Sequence, residues 1–184
     1  MVYVALLRGI NVGGNNKINM KLLSQTFERV GMGSVMTYIN TGNILFTDSM
    51  HSKQELCSIL EEAIYTDFGL AIKVIVRSIE EYTQLIQSLP DHWTNDQSMR
   101  SDVLFLWDEI NDESVIDKLK IKPEIDRVQY IPGAILWSVD KEHVTRSGMS
   151  KIIGTKIYQQ ITVRNVNTTR KIYELMLGIA KGIE

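Results

Sequence analysis

The sequence predicts an α+β fold of two tandem ferredoxin-like units, formed by internal duplication and followed by a C-terminal helix. Two observations lead to this prediction. Short apolar runs and helical patterns follow the order β-α-β-β-α-β, and the order then repeats. In addition, "TYINTGNILF" at 37–46 matches "QYIPGAILW" at 129–137, with one residue fewer in the turn. The predicted units cover residues 1–90 and 101–184, with a polar connection between them.

In the first half of the first unit, caps and turn residues mark the element boundaries. The apolar run "VYVALL" at 2–7 predicts a strand. Asn19 is placed to cap a helix that ends at Gly31, where a glycine suits the helix C-terminus. The sequence "NTGN" at 40–43 is a turn signal between two strands, which predicts a hairpin.

In the second half of this unit, two capping boxes predict two helices. Ser52 with Glu55 opens the first helix, and Ser78 with Glu81 opens the second. The run "IKVIVR" at 72–77 lies between them and predicts the fourth strand.

The second unit is predicted from a similar series of patterns. Its elements are a strand at 102–107, a helix near Asn111–Leu119, strands at 126–131 and 134–139, a helix near Ser150–Tyr158, a strand at 160–163 and a last helix from about Asn167. The first strand of each unit is apolar on both sides, so we expect both of its faces to be covered, by the other half of the chain or by a second subunit.

The composition indicates a globular chain with no membrane span. Hydrophobic residues make up 44% and charged residues 23%, and no apolar run reaches the length that a membrane helix needs. The opening residues lack a basic leader with a cleavage site, so we expect no signal peptide. The single cysteine, Cys57, excludes an intrachain disulfide and fits the reducing cytoplasm. We therefore expect a cytoplasmic protein.

The segment "LLRGINVGGNNKINM" at 6–20 is the main candidate site. It holds three of the 12 glycines, four asparagines, one arginine and one lysine. The first two strands of a β-α-β-β-α-β unit run in the same direction, so this loop and the turn at 40–43 are expected at one end of the sheet. Glycine backbone and a helix N-terminus both favour anions. The predicted ligand-binding residues here are Arg8, Asn11, Gly13, Gly14, Lys17, Asn40, Gly42 and Asn43.

A second polar cluster, "TVRNVNTTRK" at 162–171, adds Arg164, Asn165 and Asn167 to the candidate ligand-binding residues. Asn167 also suits the start of a helix, and that alternative stays open. Whether the two clusters share one pocket is not determined by the sequence.

Several common chemistries lack their sequence patterns. The three histidines and Cys57 do not show the spacing of metal ligands, so no metal site is predicted. The loop lacks the Gly-Lys-Ser/Thr ending of a phosphate-binding P-loop and the dinucleotide-binding fingerprint. No Gly-x-Ser-x-Gly nucleophile motif is present. We predict no cofactor, and no residue is assigned a catalytic role.

Three segments, "LLRGINVGGNNKINM", "TYINTGN" and "TVRNVNT", resemble the signatures of the bacterial family known as domain of unknown function 1697. This resemblance implies a soluble bacterial α+β protein of about this length with no assigned activity. Two positions depart from the family pattern: Thr41 stands where serine is usual, and Val166 where tryptophan is usual. The motif positions are Arg8, Gly9, Asn11, Gly13, Gly14, Lys17, Met20, Gly42, Asn43, Arg164, Asn165, Asn167 and Thr168.

The function predicted from these patterns is binding of a phosphate-bearing or otherwise anionic small molecule through the glycine-rich loop. One alternative is an acylphosphatase-like phosphohydrolase, since Arg8 and Asn40 are similar to the arginine and asparagine of that fold. Another is single-stranded RNA binding with Tyr3 as a stacking platform, but net charge −2 and the lack of a basic-aromatic pattern make nucleic acid the less favoured partner. Ligand identity, catalytic activity and oligomeric state stay open.

Overall fold

The computed structural model describes residues 1–182 and has an α+β architecture with two four-stranded antiparallel sheets. The strand order is β2-β3-β1-β4 in the first sheet and β6-β7-β5-β8 in the second. The strands are β1 (Val2–Leu7), β2 (Gly33–Tyr38), β3 (Asn43–Thr47), β4 (Val74–Ser78), β5 (Met99–Leu106), β6 (Asp126–Ile131), β7 (Ala134–Asp140) and β8 (Ile161–Asn165). The α-helices are α1 (Met20–Arg29), α2 (Lys53–Phe68), α3 (Ile79–Ser88) and α4 (Val166–Lys181).

The chain divides into two compact units. The first consists of Met1–Thr83 together with the described residues from Ile172 on, and the second of Gln84–Lys171. The first unit therefore holds the sheet of β1 to β4, and the second unit holds the sheet of β5 to β8.

The core of the first unit lies between its sheet and the helices α1 and α2. Ala5 and Leu7 of β1 join the same buried cluster as Leu23 and Phe27 of α1 and Leu60 of α2. The intervening β1 residues are also buried, because Val4 and Leu6 are 0% exposed. The prediction that both faces of the first strand are covered is therefore confirmed.

The predicted helix caps of the first unit are present. The Asn19 side-chain oxygen accepts hydrogen bonds from the backbone N–H groups of Lys21 and Leu22, at 2.9 and 3.1 Å. Ser52 and Glu55 make both bonds of a capping box at the start of α2. These bonds satisfy N–H groups that have no partner within the helix, so short local signals determine where both helices begin.

The hairpin turn between β2 and β3 is held against the end of β1. The backbone N–H of Leu7 donates to the carbonyl oxygen of Gly42 at 2.8 Å. Gly42 has a φ of +88°, and a Cβ atom there would lie 2.7 Å from the Leu7 Cβ and 3.0 Å from the Ile10 Cγ1. This turn therefore needs glycine both for its backbone conformation and for close packing.

The outer strand β2 contains an irregularity. Its pairing with β3 runs from Gly33 opposite Thr47 to Met36 opposite Leu45, so the register shifts between these positions. Ser34, inside the shifted stretch, has a φ of +47°. The strand thus carries a local bulge rather than a continuous ladder.

The second unit contradicts part of the sequence prediction. The α-helices expected near Asn111–Leu119 and Ser150–Tyr158 are wrong in type, because these stretches form short 3-10 helices. Those helices are Glu113–Lys118, Gly148–Lys151 and Ile157–Gln160. Gly154 has a φ of +86° and interrupts the later stretch, so no continuous α-helix forms there. The last predicted helix is present as α4.

A buried carboxylate anchors the later of these stretches. Asp126, 6% exposed, accepts hydrogen bonds from the Ser147 hydroxyl and from the backbone N–H groups of Lys122 and Gly148. Gly148 lies so close to Lys120 that a Cβ atom would be 2.0 Å from the Lys120 carbonyl oxygen. This contact fixes the start of the 3-10 helix more strongly than the local helical pattern does.

Candidate functional site

The glycine-rich loop between β1 and α1 folds into a small hairpin. The Asn11 N–H donates to the Asn16 oxygen at 3.2 Å, and the Asn15 N–H donates to the Val12 oxygen at 3.1 Å. Gly13 and Gly14 form the tip, with φ values of +60° and +80°. Two successive positive φ values are those of a type I′ turn, which favours glycine at both central positions. The paired glycines therefore have a clear conformational role.

The Asn11 side chain joins this loop to the β2–β3 turn. Its Nδ2 donates to the backbone oxygen of Ile18 at 3.0 Å and to that of Asn40 at 2.8 Å. Its Oδ1 accepts from the Ile18 N–H at 2.8 Å. The loop and the turn therefore lie together at one end of the sheet, as the strand order predicted.

A cleft of about 540 Å³ opens between the loop and the start of α1. Lys17 is exposed, and its ammonium group forms no hydrogen bond or ion pair within residues 1–182. In the same part of the chain, the side chains that line the cleft with Lys17 are uncharged. The lining residues are Asn11, Gly14, Lys17, Ile18, Asn19, Met20 and Asn40.

The segment around this cleft is locally basic. Residues 8–43 carry four cationic side chains and one carboxylate, a net charge of +3, whereas the whole chain has net charge −2. One of the cations, Arg29, pairs with Asp67 at 2.8 Å. Hydrogen bonds from the Thr26 hydroxyl and from Arg29 lower the pKa of Asp67. The remaining cations of the segment are Arg8, Lys17 and Lys21, which favour an anionic partner.

Comparison with known proteins assigns a family. The family model of a protein of unknown function, DUF1697, matches residues 1–137. The chain belongs to this family. It is also similar to the solved structure of the conserved bacterial protein SP0830 from Streptococcus pneumoniae, with a TM-score of 0.82 and 31% identity over 95% of this chain and 98% of that chain. No curated protein matches.

The matched range of the DUF1697 chain contains the glycine-rich loop and the β2–β3 turn, but not the polar cluster at 162–171. Of the site residues predicted in the first unit, Asn11, Gly14, Lys17 and Asn40 line the cleft. Ile18 and Met20 also line it but were not predicted as site residues. Their only sequence signal is their position between the polar loop and the helix.

The other predicted residues of the first unit have different surroundings. Asn43 is fully buried, and its Nδ2 donates to the Tyr38 oxygen at 3.0 Å and to the Thr41 hydroxyl at 3.3 Å. Gly13 lies at the loop tip, and Gly42 packs against Leu7 and Ile10. Arg8 is partly buried after β1, where its N–H donates to the Lys73 oxygen, and it is not among the residues that line the cleft.

The second predicted cluster belongs to the second unit of the DUF1697 chain and has structural contacts. Arg164 is 8% exposed, and its Nη1 donates to the Thr162 hydroxyl at 3.0 Å and to the Val163 oxygen at 2.8 Å. The side-chain oxygen of Asn165 accepts a hydrogen bond from the Thr168 N–H at 2.9 Å, so Asn165 caps α4. Asn167 donates to the Asn95 oxygen at 3.0 Å. Of these contacts, the bond between Asn165 and Thr168 is that of a helix cap, whereas Arg164 bonds to residues of its own strand and Asn167 to the segment before β5.

The side chains that commonly bind metal ions are not clustered in the described part of the DUF1697 chain. Among residues 1–182, histidine, cysteine, aspartate and glutamate side chains form no group of three or more that is suited to a metal ion. None of the helices in this range is both long and apolar enough to span a membrane.

Proposed function

We propose that this DUF1697 protein binds an anionic small molecule, such as a phosphate-bearing compound, in the cleft beside the glycine-rich loop. The observation that carries the proposal is Lys17. Its exposed ammonium group has no ion pair within residues 1–182, and it projects from the wall of a cleft whose volume is typical of ligand sites. An anion in this cleft would gain a charge-assisted hydrogen bond from Lys17.

The surroundings of Lys17 support this proposal. The cleft lies at the N-terminus of α1, where the helix dipole is positive. Gly14 lines the cleft and has no side chain, so an anion can approach its backbone N–H closely. In this proposal Lys17 supplies charge, Gly14 supplies a backbone donor, Asn40 orients the ligand, and Asn11 holds the loop in place. Ligand contacts by the remaining predicted residues stay predictions.

Ligand-dependent stability tests the proposal. Wild type, Lys17→Met and Lys21→Met are melted with phosphate, sulfate, sugar phosphates and nucleotides. A ligand at about 100 times its dissociation constant adds about 2.7 kcal/mol to the stability of the folded state. We expect a rise in melting temperature for wild type and for Lys21→Met, whose exposed lysine does not line the cleft, but not for Lys17→Met. An equal rise in all three, or no rise with any anion, would contradict the proposal.

The alternatives considered from the sequence have less support. Tyr3 stacks on Phe46 with ring centroids 5.6 Å apart, and Phe46 meets the edge of Phe27 on α1 at 5.8 Å. This side of the sheet is covered by a helix, which does not favour RNA stacking on Tyr3. For the acylphosphatase alternative, Arg8 is not among the cleft-lining residues, so its pairing with Asn40 around one phosphate lacks support.

We further propose that the chain arose by duplication of a ferredoxin-like unit, with domains at 1–90 and 101–184. Two features support this. The Leu106 N–H donates to the Gly133 oxygen at 3.0 Å, as the Leu7 N–H does to Gly42, and both glycines have a φ near +88° to +89°. A buried arginine is the penultimate residue of both fourth strands: Arg77 lies opposite Val4, and Arg164 lies opposite Val103.

Turn exchange tests this relationship. The first turn, "INTGN" at 39–43, is replaced by "IPGA", the turn of the second unit at 131–134. If the turns are equivalent, the chimera folds and keeps the bond from the Leu7 N–H, which is measured by amide exchange at Leu7. Loss of protection at Leu7 in a folded chimera would count against duplication.

A cytoplasmic location, supported by the single cysteine, is proposed as well and is tested by cell fractionation.

A further inference from the structure

We infer that the ligand of the cleft is a phosphomonoester with a sizeable uncharged body, rather than a free oxyanion or a polyphosphate. This inference rests on the proposed function and specifies the class of ligand. It follows from the volume of the cleft, from its single cationic side chain, and from the uncharged groups on and beside its wall.

The cleft is larger than a free oxyanion such as phosphate or sulfate. Clefts that bind organic ligands have volumes of roughly 300–1,000 Å³, and this cleft, which is broadly open to solvent, lies inside that range at about 540 Å³. A phosphate or sulfate ion bound at Lys17 would leave most of this space to water. A ligand that fills the cleft therefore needs an organic body attached to its anionic group.

The charge of the cleft matches one phosphate group. Lys17 is the cationic side chain among the described residues that line it, and Lys21 lies outside that set. A phosphomonoester carries roughly −1.5 to −2 charge at pH 7, which one ammonium group and the positive end of α1 can largely balance. A diphosphate or triphosphate would bring further charges for which the cleft wall offers no cation.

The type of donor favours phosphate over carboxylate. Planar two-point recognition of a carboxylate is typical of arginine, whereas lysine binds phosphate as a point charge. Arg8 is not among the residues that line the cleft. Lys17 and the Gly14 backbone instead form the kind of donor set that lysine and glycine loops present to phosphate groups.

The uncharged body has both apolar and polar groups to contact. Ile18 and Met20 give the cleft apolar wall. Val12 and Ile39, the chain neighbours of Asn11 and Asn40, are 57% and 47% exposed. These two side chains lie outside the set that lines the cleft, and we refer to them as the apolar rim. An apolar body that extends past the cleft wall and contacts the rim would remove hydrocarbon surface from water.

Asn40 supplies the polar contact. Its side-chain amide makes no hydrogen bond within residues 1–182 and lines the cleft, so it can donate to or accept from one neutral group of the ligand.

Ile39, the residue before Asn40, has a φ of +49°, a conformation that β-branched residues rarely adopt. Asparagine tolerates this conformation, which makes Ile39→Asn a suitable variant for removing the apolar side chain.

Calorimetric titration of the full chain tests the inference. The probes are inorganic phosphate, methyl phosphate, phenyl phosphate, naphthyl phosphate, phenylacetate and tripolyphosphate. We expect phenyl and naphthyl phosphate to bind wild type at least roughly tenfold more tightly than methyl phosphate, since each fully buried methylene equivalent adds roughly fourfold in affinity. Ile39→Asn is expected to reduce this gain. Tyr65→Ser, which changes an exposed aromatic residue that does not line the cleft, should preserve the gain.

The outcomes separate this inference from the proposed function. Equal affinity for phosphate, methyl phosphate and phenyl phosphate would overturn the inference and leave anion binding intact. Tightest binding of tripolyphosphate, or phenylacetate binding as tightly as phenyl phosphate, would also overturn it. If no probe binds wild type, the proposed function itself fails. A gain that persists in full in Ile39→Asn would contradict the contact that the inference assigns to the apolar rim.

Discussion

The Asn11 side-chain amide donates a hydrogen bond to the Asn40 backbone oxygen at 2.8 Å, across 29 positions of sequence. The same amide group makes two hydrogen bonds to the backbone of Ile18. One side chain therefore fixes the distance between the glycine-rich loop, the start of α1 and the β2–β3 turn. The shape of the cleft therefore depends on these three bonds.

Asn11→Asp is expected to weaken both folding and ligand binding. The substitution keeps the size of the side chain but places a carboxylate against the oxygens of Ile18 and Asn40. We expect a loss of about 1–3 kcal/mol in the free energy of unfolding, the usual range when a hydrogen-bond partner is removed. Urea denaturation at pH 7 measures the loss.

The control is Asn15→Asp, which makes the same change of charge at an exposed side chain without a hydrogen bond in residues 1–182. Its free energy of unfolding should stay within about 0.5 kcal/mol of wild type. Equal losses in the two variants would show that charge, not the Asn11 bonds, is responsible.

Gly42→Ala should be far more damaging than Gly14→Ala. Both glycines have a positive φ, so both variants strain the backbone. At Gly14 no atom lies within 4 Å of an added Cβ, whereas at Gly42 the new atom would collide with Leu7 and Ile10. We expect losses of about 1 kcal/mol for Gly14→Ala and about 2–4 kcal/mol for Gly42→Ala. Chemical denaturation of both variants gives the comparison, and similar losses would argue against the collision.

Asp126→Asn should lower stability in a pH-dependent manner. Burial opposes ionisation of this carboxyl, but hydrogen bonds from the Ser147 hydroxyl and from the N–H groups of Lys122 and Gly148 outweigh it and lower the pKa of Asp126. The folded chain therefore binds the proton less readily than the unfolded chain. This carboxylate stabilises the fold above about pH 4, and the contribution is lost as the pH falls through the lowered pKa.

We expect Asp126→Asn to lose about 1–3 kcal/mol of unfolding free energy at pH 7, and the difference from wild type should shrink below about pH 4. Denaturant titrations between pH 3 and 7 measure this trend. Asp117→Asn, at an exposed carboxylate without a hydrogen bond in the described chain, serves as the control for the loss of one carboxylate. A constant difference across this pH range would contradict the assignment.

Gly148→Ala is expected to disrupt the second unit. Its Cβ would be 2.0 Å from the Lys120 carbonyl oxygen, so the backbone must move and the bond to Asp126 is strained. We expect a loss of about 3 kcal/mol. Gly178→Ala in α4 is the matched control: nothing lies within 4 Å of its Cβ, and alanine in a helix should add about 0.5–1 kcal/mol. Melting temperatures that move in opposite directions would support both assignments; a stable Gly148→Ala would exclude the close contact.

Elements with local signals were predicted well. The cap at Asn19 and the capping boxes at Ser52 and Ser78 act over two or three residues, so the sequence contains all their partners. Strands Val2–Leu7 and Asp126–Ile131 match their predicted bounds. The 3-10 helix Gly148–Lys151 was missed because its conformation depends on distant contacts. The bond from Gly148 to Asp126 spans 22 positions, and no local pattern indicates it.

The position of the glycine-rich loop beside the β2–β3 turn was predictable, but the contacts of its side chains were not. Strand order alone brings the loop to the β2–β3 turn, because β1 and β2 both pair antiparallel with β3, run in the same direction and so end at the same edge of the sheet. The sequence could not predict which asparagines bond to the backbone and which remain exposed at the cleft, since each side-chain amide can bind a ligand or the backbone equally well. Asn43 proved fully buried and bonded to the Tyr38 oxygen, whereas Asn40, three positions earlier, is exposed at the cleft. Only the packing of neighbouring strands decides between these two states.

The bulge in β2 has a consequence for the solubility of the protein. β2 is an outer strand of its sheet, and a regular outer strand offers unpaired N–H and C=O groups to a strand from another molecule. The register shift between Gly33 and Met36 breaks the even spacing of those groups and increases the local twist. A foreign strand would therefore meet an interrupted ladder, and we expect this to oppose aggregation along the edge where the side chain of Met36 is exposed.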